Sequence, residues 1–515
     1  MERSQGQQAD VQREAGPGAK KRHGALTLTA RYTGLACILA LAAQAAFAQT
    51  VEEKVDRILA TPAAQRATWA VHAVDLGSGK VVYSRSAGVP MTPASNTKLF
   101  SSALAMARLG PDYRFETQVR AAAKPDANGL LAGDLRLVGG GDATLSGRVY
   151  PYKKGPSDAD PLGPLAALAD AVVDSGVRVI QGDVVGDDTR WPFVPYPDGW
   201  SLADVPYEYG AGVSALVVND NTVTLTVRPG SSALISMRPL NEHFTISNTV
   251  RMVAGAETKI TVDRRPYSRV LEISGTLGVK SPGTSEIVSV DDPAAFAAEQ
   301  FLSLLRARGV TVRGGARALH RRGTPTAPAE DVILARRQSP PLLDILRVVN
   351  KVSQNLHAEM MLREATLHQR GDATAEDTRK ELHALLDELK IPRESYHFED
   401  GSGLSSLTLV SPETIVALLT AIHISPRRDD FWALLPVAGE DGTLAARFHG
   451  VAQASAIRAK TGSLSHVAAL SGYAGLDPDQ RVAFSIMVNG YTAPASVVRP
   501  LIDKIAVALL EETTR

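Results

Sequence analysis

Cysteine is almost missing from this chain: of 515 residues, only Cys37 is one. It falls within an N-terminal apolar run, Leu35 to Ala48, which follows Lys20, Lys21, Arg22 and Arg31 and ends in the small-x-small triplet Ala46-Phe47-Ala48. Such an arrangement reads as an export signal with its cleavage site; the run is too short to span about 30 Å of hydrocarbon as an anchor. Gly34 stands where a lipid-attachment motif needs an aliphatic residue, so Cys37 is not read as a lipoprotein anchor. A processed chain starting after Ala48 holds no cysteine, which excludes disulfides, thiol nucleophiles and zinc–thiolate sites. No second apolar segment is long enough to cross a membrane. Charge of one sign is scarce as well. Lys plus Arg and Asp plus Glu both number 55, which removes the electrostatic case for a nucleic-acid partner. His-Glu-x-x-His and Gly-x-Ser-x-Gly are both missing, so neither a zinc protease nor an α/β-hydrolase is supported. His357-Ala-Glu359 echoes the start of a zinc deaminase motif, with no cysteines to complete it. No metal or organic cofactor is expected.

What is present has the texture of several folding units, as the length demands. Ala70 to Asp75, the Gly-rich turn Leu76 to Gly79 and Val81 to Tyr83 predict a β-hairpin. Pro93-Ala-Ser-Asn-Thr-Lys98 runs into Leu99, Phe100, Ala103, Leu104, Met106 and Leu109 at helical spacing, with Gly110 as the stop. Short strands follow (Phe115 to Val119, Leu135 to Val138, Val223 to Val227, Val270 to Ile273), with helical patches at Leu162 to Val173 and Pro293 to Ala307. Arg321 to Glu330 reads as an exposed linker. Helices are expected over Leu342 to Val349, Leu356 to Leu367 and Glu376 to Leu389, with a capped start at Ser411-Pro412-Glu413. Strands return at Ala456 to Thr461, Ala468 to Ala474 and Val482 to Val488, before a last helix from Ala495 to Leu510. Gly139-Gly140-Gly141-Asp142 lacks the Gly-Lys-Ser/Thr ending of a phosphate cradle and is read as a structural turn; Asp400 and Ser402 are read as part of another tight turn.

Three motifs carry chemistry together. Ser95-Asn-Thr-Lys98 is the sole Ser-x-x-Lys, Ser353-Gln354-Asn355 the sole Ser-x-Asn, and Lys460-Thr461-Gly462 the sole Lys-Thr-Gly. The last is expected by chance in roughly one chain in sixteen of this length. The first opens a helix, the second falls between helices and the third ends a strand. A serine hydroxyl attacks only if a base removes its proton. Lys98, one turn from Ser95, can be that base if burial and a nearby cation, Lys460, lower its pKa. Ser353 can relay a proton to a leaving amine, and Asn355 can hydrogen-bond a substrate amide. The backbone N–H groups of Ser95 and Ser463 suit an oxyanion hole. Lys460 and the hydroxyls of Thr461 and Ser463 suit a substrate carboxylate. Each residue also has a structural reading: Ser95 as a helix cap, Lys98 as a solvated surface side chain, Ser353 and Asn355 as caps of the next helix, Lys460 as an edge-strand charge.

Order and context resemble the penicillin-binding and β-lactamase signature set. More specifically, the chain resembles the class C low-molecular-mass penicillin-binding proteins, the D-alanyl-D-alanine carboxypeptidase/endopeptidase serine peptidases. Carriers are Pro93 to Leu99, Leu137-Val-Gly-Gly-Gly-Asp142, Asp400-Gly-Ser-Gly-Leu-Ser405, Gly439-Glu-Asp-Gly-Thr-Leu444, Ala459-Lys-Thr-Gly-Ser-Leu464 and Leu470-Ser-Gly-Tyr473. Gln354 replaces the commoner Asp of the second motif. The resemblance implies an α+β fold: a discontinuous transpeptidase/β-lactamase-like domain, an antiparallel sheet with helices, carrying two inserted β-rich or αβ domains. Expected boundaries are a signal over 1–48, the catalytic domain over 49–114 and 331–515, one insert over 115–142 and 217–330, and an inner insert over 143–216. It also implies acyl transfer through Ser95, with Lys98 and Ser353 as catalytic partners and Asn355, Lys460, Thr461, Gly462 and Ser463 binding substrate. The partners implied are stem peptides ending in D-Ala-D-Ala, cross-linked muropeptides and β-lactams as covalent inhibitors, in the periplasm; a homodimer is left open. A β-lactamase-type hydrolase and a non-catalytic cell-wall binding protein of the same fold are the alternatives.

Overall fold

The computed structural model describes residues 49–155, 157–324 and 331–513. The export signal lies outside these residues, as do residues 325–330 of the expected linker. From Val51 onward the chain forms one compact unit.

Segments from both ends of this unit build one five-stranded antiparallel sheet. Its order is Val81–Arg85, Thr68–Asp75, Val482–Asn489, Val467–Ala474 and Ile457–Leu464, which leaves the last strand at an edge. Successive side chains point to opposite faces. Val71, Leu470, Phe484 and Ile486 face the helices Val51–Leu59 and Ala495–Glu512, while Ala70, Ala469, Ala483 and Met487 face Lys98–Leu109, Asn355–Arg370 and Pro412–His423. Val467–Ala474 is buried along its whole length, as in a strand with both faces covered,. The first helix was not anticipated. Its signal was the spacing of Val51, Val55 and Leu59, all buried against that sheet, each contributing about 1.5–3 kcal/mol on burial.

A second five-stranded sheet occupies the interval between the first and second motifs. Its order is Ala316–Leu319, Val184–Asp187, Leu135–Val138, Glu116–Ala121 and Val332–Gln338. The middle three mix parallel and antiparallel pairing, and Pro293–Ala307 packs beside them. Two expected boundaries do not match these pairings. Residues 143–216 are not a separate inner body, because Val184–Asp187 pairs parallel with Leu135–Val138 and lies within this sheet. The catalytic segment does not resume at 331, because Val332–Gln338 pairs with Glu116–Ala121. Two of the smaller sheets come instead from Thr222–Ser289, and one apolar cluster containing Val119, Val184, Leu225, Leu271 and Phe296 joins them to the larger sheet. Gly139 and Gly140 behave as packing positions: a Cβ on Gly140 would sit 1.9 Å from the Glu116 carbonyl oxygen. Asp142 beside them pairs with Arg337 at 2.5 Å.

Candidate active site

Ser95 sits in a 3-10 turn, Ala94–Thr97, which runs directly into the helix Lys98–Leu109. The hydroxyl is half-buried while Asn96, Thr97 and Lys98 are fully buried. Two glycines let other segments press against this turn. A Cβ on Gly462 would lie 2.5 Å from the Pro93 carbonyl oxygen and 3.2 Å from Ala94 Cβ. A Cβ on Gly403, whose φ is +75°, would lie 1.8 Å from the Ala94 carbonyl oxygen,. Asn96 Nδ2 donates to Ser471 Oγ (2.7 Å), whose hydroxyl donates to Ser485 Oγ (2.9 Å), tying the turn into the sheet. Sequence reasoning missed this relay; its signal was a serine in each of two otherwise apolar strands.

Lys98 Nζ lies 2.8 Å from Ser95 Oγ, 2.5 Å from Asn355 Oδ1 and 2.7 Å from the Ser402 carbonyl oxygen. Its pKa is lowered to about 7 by burial, which the nearby carboxylates of Asp400 and Glu359 partly oppose. A neutral amine has two N–H bonds and one lone pair. The two carbonyl oxygens take the N–H bonds, which turns the lone pair towards the serine hydroxyl. Of the two expected causes, burial does the work, and the charge of Lys460 is not among the causes of the shift. Asn355 differs from expectation too, since its Oδ1 is occupied by Lys98 and its Nδ2 donates to the Tyr209 carbonyl oxygen (2.8 Å). The helix-cap reading of Ser353 and Asn355 fails, because Gln354 caps the helix Asn355–Arg370 by accepting from Leu356 N–H at 2.9 Å.

Ser353 holds a left-handed backbone (φ +64°), an arrangement that costs a non-glycine residue roughly 1–3 kcal/mol and tends to persist at working sites,. Its Oγ accepts from Lys460 Nζ at 2.8 Å, and the same nitrogen also donates to the Thr461 carbonyl oxygen (2.8 Å). Lys460 is fully buried, and burial followed by the proximity of Lys98 pushes its pKa well below the usual lysine range. The motif Lys460-Thr461-Gly462 lies inside the strand Ile457–Leu464 rather than at its end. Thr461 Oγ1 donates to Thr443 Oγ1 (2.9 Å), and Ser463 Oγ accepts from Arg499 Nη2 (3.3 Å), which adds two polar groups the sequence did not flag.

The turn at Asp400–Ser405 proves to be a support for the lysine. Glu359 Oε1 accepts from the N–H groups of Gly401 (2.7 Å) and Ser402 (2.8 Å), and Asp400 Oδ2 accepts from Ser402 Oγ (2.8 Å) and Ser405 N–H (2.9 Å). Burial, with Asp400 adding to it, raises the Glu359 pKa to about 7. His357, two residues earlier, contacts Asp220 through Nε2 at 2.9 Å.

A half-exposed serine hydroxyl with a buried, poorly basic lysine against it, on a covered antiparallel sheet, defines the serine peptidases that use lysine in place of histidine. The chain belongs to the D-Ala-D-Ala carboxypeptidase 3 (S13) family, whose model matches residues 51–511. It is 34% identical to a D-alanyl-D-alanine carboxypeptidase of Actinomadura sp. (strain R39), over 99% of this chain and 94% of that protein. In fold it is similar to penicillin binding protein 4 of Haemophilus influenzae, with a TM-score of 0.74 at 23% identity, covering 89% of this chain and 98% of that one. The same protein complexed with a β-lactam gives a TM-score of 0.69 at 23% identity, covering 89% and 99%.

Proposed function

We propose that the chain is a serine-type D-Ala-D-Ala carboxypeptidase and/or endopeptidase of peptidoglycan peptides, working through an acyl-enzyme on Ser95. The observation that carries this reading is the 2.8 Å contact between Ser95 Oγ and a Lys98 amine whose pKa is lowered to about 7. Ser95 Oγ attacks the carbonyl carbon of the penultimate D-Ala as its proton passes to the neutral Lys98. The developing oxyanion is held by the backbone N–H groups of Ser95 and Ser463. When the C–N bond breaks, the leaving amine takes a proton from Ser353, which Lys460 replenishes. The terminal carboxylate sits against Lys460, Thr461 and Ser463, with Thr443 and Arg499 extending the polar wall. Asn355 orients Lys98 through its Oδ1. Water then cleaves the ester and regenerates the hydroxyl. β-Lactams, which present a reactive amide beside a carboxylate, acylate the same oxygen. Among the described residues no helix is long and apolar enough to cross a membrane. The N-terminal export pattern supports action outside the cytoplasm, in the periplasm.

The test is incubation of the processed protein with a purified pentapeptide muropeptide, with products read by mass. Loss of one D-alanine by the wild type and none by Ser95→Ala, with equal melting temperatures, is the expected result. D-Alanine release that survives in Ser95→Ala would assign the chemistry to another nucleophile.

A further inference from the structure

A groove of about 750 Å³ is lined at one part by Ser353 and Asn355, and elsewhere by the helical Val348 and by Thr222, Thr224 and Ile287 of the inserted strands; Ser95 is not among its lining residues. Beyond those two residues its walls are basic. Lys153, Lys154 and Arg238 line it, all exposed, and none of the three is in an ion pair among the described residues. Lys154 Nζ and Arg238 Nη2 instead donate to the backbone carbonyl oxygens of Glu440 (2.7 Å) and Ala159 (3.1 Å). A fourth cation, Arg148, is neutralised by Asp220 at 2.5 Å. Among the described residues Glu208 is the one lining carboxylate besides Asp220, so the groove has an excess of positive charge in a chain whose formal net charge is zero. Tyr209, 44% exposed and stacked on Tyr207 with ring centroids 5.7 Å apart, forms a flat wall at the end nearest Asn355.

We infer that this groove holds the leaving half of a cross-linked substrate: the acidic stem peptide whose side-chain amine is released when the cross-link is cut. The inference rests on the proposed function, and adds to it which face of the site carries the second peptide. Its direction follows from the proton path. Ser353 delivers the proton to the leaving nitrogen, and Ser353 lines the groove. A free D-alanine would leave most of a space this size empty, whereas a peptide of several residues matches the usual volume of a ligand cleft. A stem peptide carries free carboxylates, which the three unpaired cations attract. In the step itself Ser95 Oγ bonds to the D-Ala carbonyl carbon, the C–N bond of the cross-link breaks, the released amine gains its proton from Ser353, and water later resolves the ester.

The experiment compares a cross-linked muropeptide dimer, the same dimer with its free carboxylates amidated, and a monomeric pentapeptide, in wild type and in the exposed double variant Lys153→Glu/Arg238→Glu. For the dimer, kcat/KM should fall roughly fivefold to tenfold in the variant, the size expected for reversing two rim charges. Pentapeptide turnover should stay within about twofold, because a lone D-alanine does not reach those residues. The amidated dimer should be cut more slowly by wild type and be insensitive to the variant. Equal losses on dimer and pentapeptide, no loss on the dimer, or undiminished cleavage of the amidated dimer would each overturn the assignment. Wild type that releases D-alanine but leaves dimers intact overturns the groove alone. Wild type that does neither overturns the underlying reading with it.

Discussion

Replacing Gly462 by alanine should separate catalysis from stability more sharply than any change to a charged residue. The new methyl would start 2.5 Å from the Pro93 carbonyl oxygen and 3.2 Å from Ala94 Cβ, against an ordinary contact of 3.4 Å or more. Both neighbours belong to the rigid turn that presents Ser95, so no flexible side chain can give way. Strand and turn must therefore part by about 0.9 Å, close to the 1 Å misplacement that can cost a hundredfold in rate. The displaced groups are the two N–H donors expected around the oxyanion, Ser95 and Ser463, which move apart, while Ser95 and Lys98, on the same continuous turn and helix, keep their contact. The expected result is a fall of about a hundredfold in the second-order rate of acylation by benzylpenicillin. Stability should drop by only about 1–3 kcal/mol, the usual cost of overpacking. Stopped-flow acylation and chemical denaturation measure the two. An acylation rate within threefold of wild type, in a folded variant, would refute the close approach of strand and turn as a catalytic requirement.

Other consequences are independent of that one. Lys98 acts only when neutral, and the neutral fraction grows as pH rises through its pKa, so the acylation rate should climb from acid pH to a plateau with a midpoint near 7,. A midpoint near 10 would mean the lysine is solvated. Glu359 raises the Lys98 pKa, so Glu359→Gln should move that midpoint to lower pH, by less than about one unit while Asp400 remains,; a shift to higher pH contradicts the charge argument. Gln354→Ala should cost about 1 kcal/mol of stability through loss of the helix cap, and Gln354→Asp should recover most of it,. Equal stability in both variants would show that the cap contributes nothing.

The strands Leu135–Val138 and the helix Pro293–Ala307 were readable to the residue, because each carries its period without interruption. Pairing partners were not readable. Nothing in Val184–Asp187 or Val332–Gln338 says which strands they join, since local alternation fixes which face is buried and leaves the neighbour open,. The same division runs through the site. Ser95, Lys98, Ser353, Asn355 and Lys460 could be found because motif side chains advertise themselves by type and spacing. Ser402 contributes a backbone carbonyl, which any residue possesses, and its turn was read as structural only. Gln354 looked like a neutral replacement until its amide proved to cap the helix, freeing both flanking residues for the two lysines. Burial was expected to lower the Lys98 pKa, whereas the opposing carboxylates of Asp400 and Glu359 were not, because which side chains approach the lysine is a property of the assembled core.

The account stands on the transfer of the Ser95 proton to Lys98, and peptide mapping after benzylpenicillin treatment tests it most directly. Wild type should carry the penicilloyl mass on the peptide containing Ser95, and Lys98→Met should stay unlabelled over the same time while remaining folded. An adduct on any other residue, or full-rate labelling of Ser95 in the methionine variant, would contradict it.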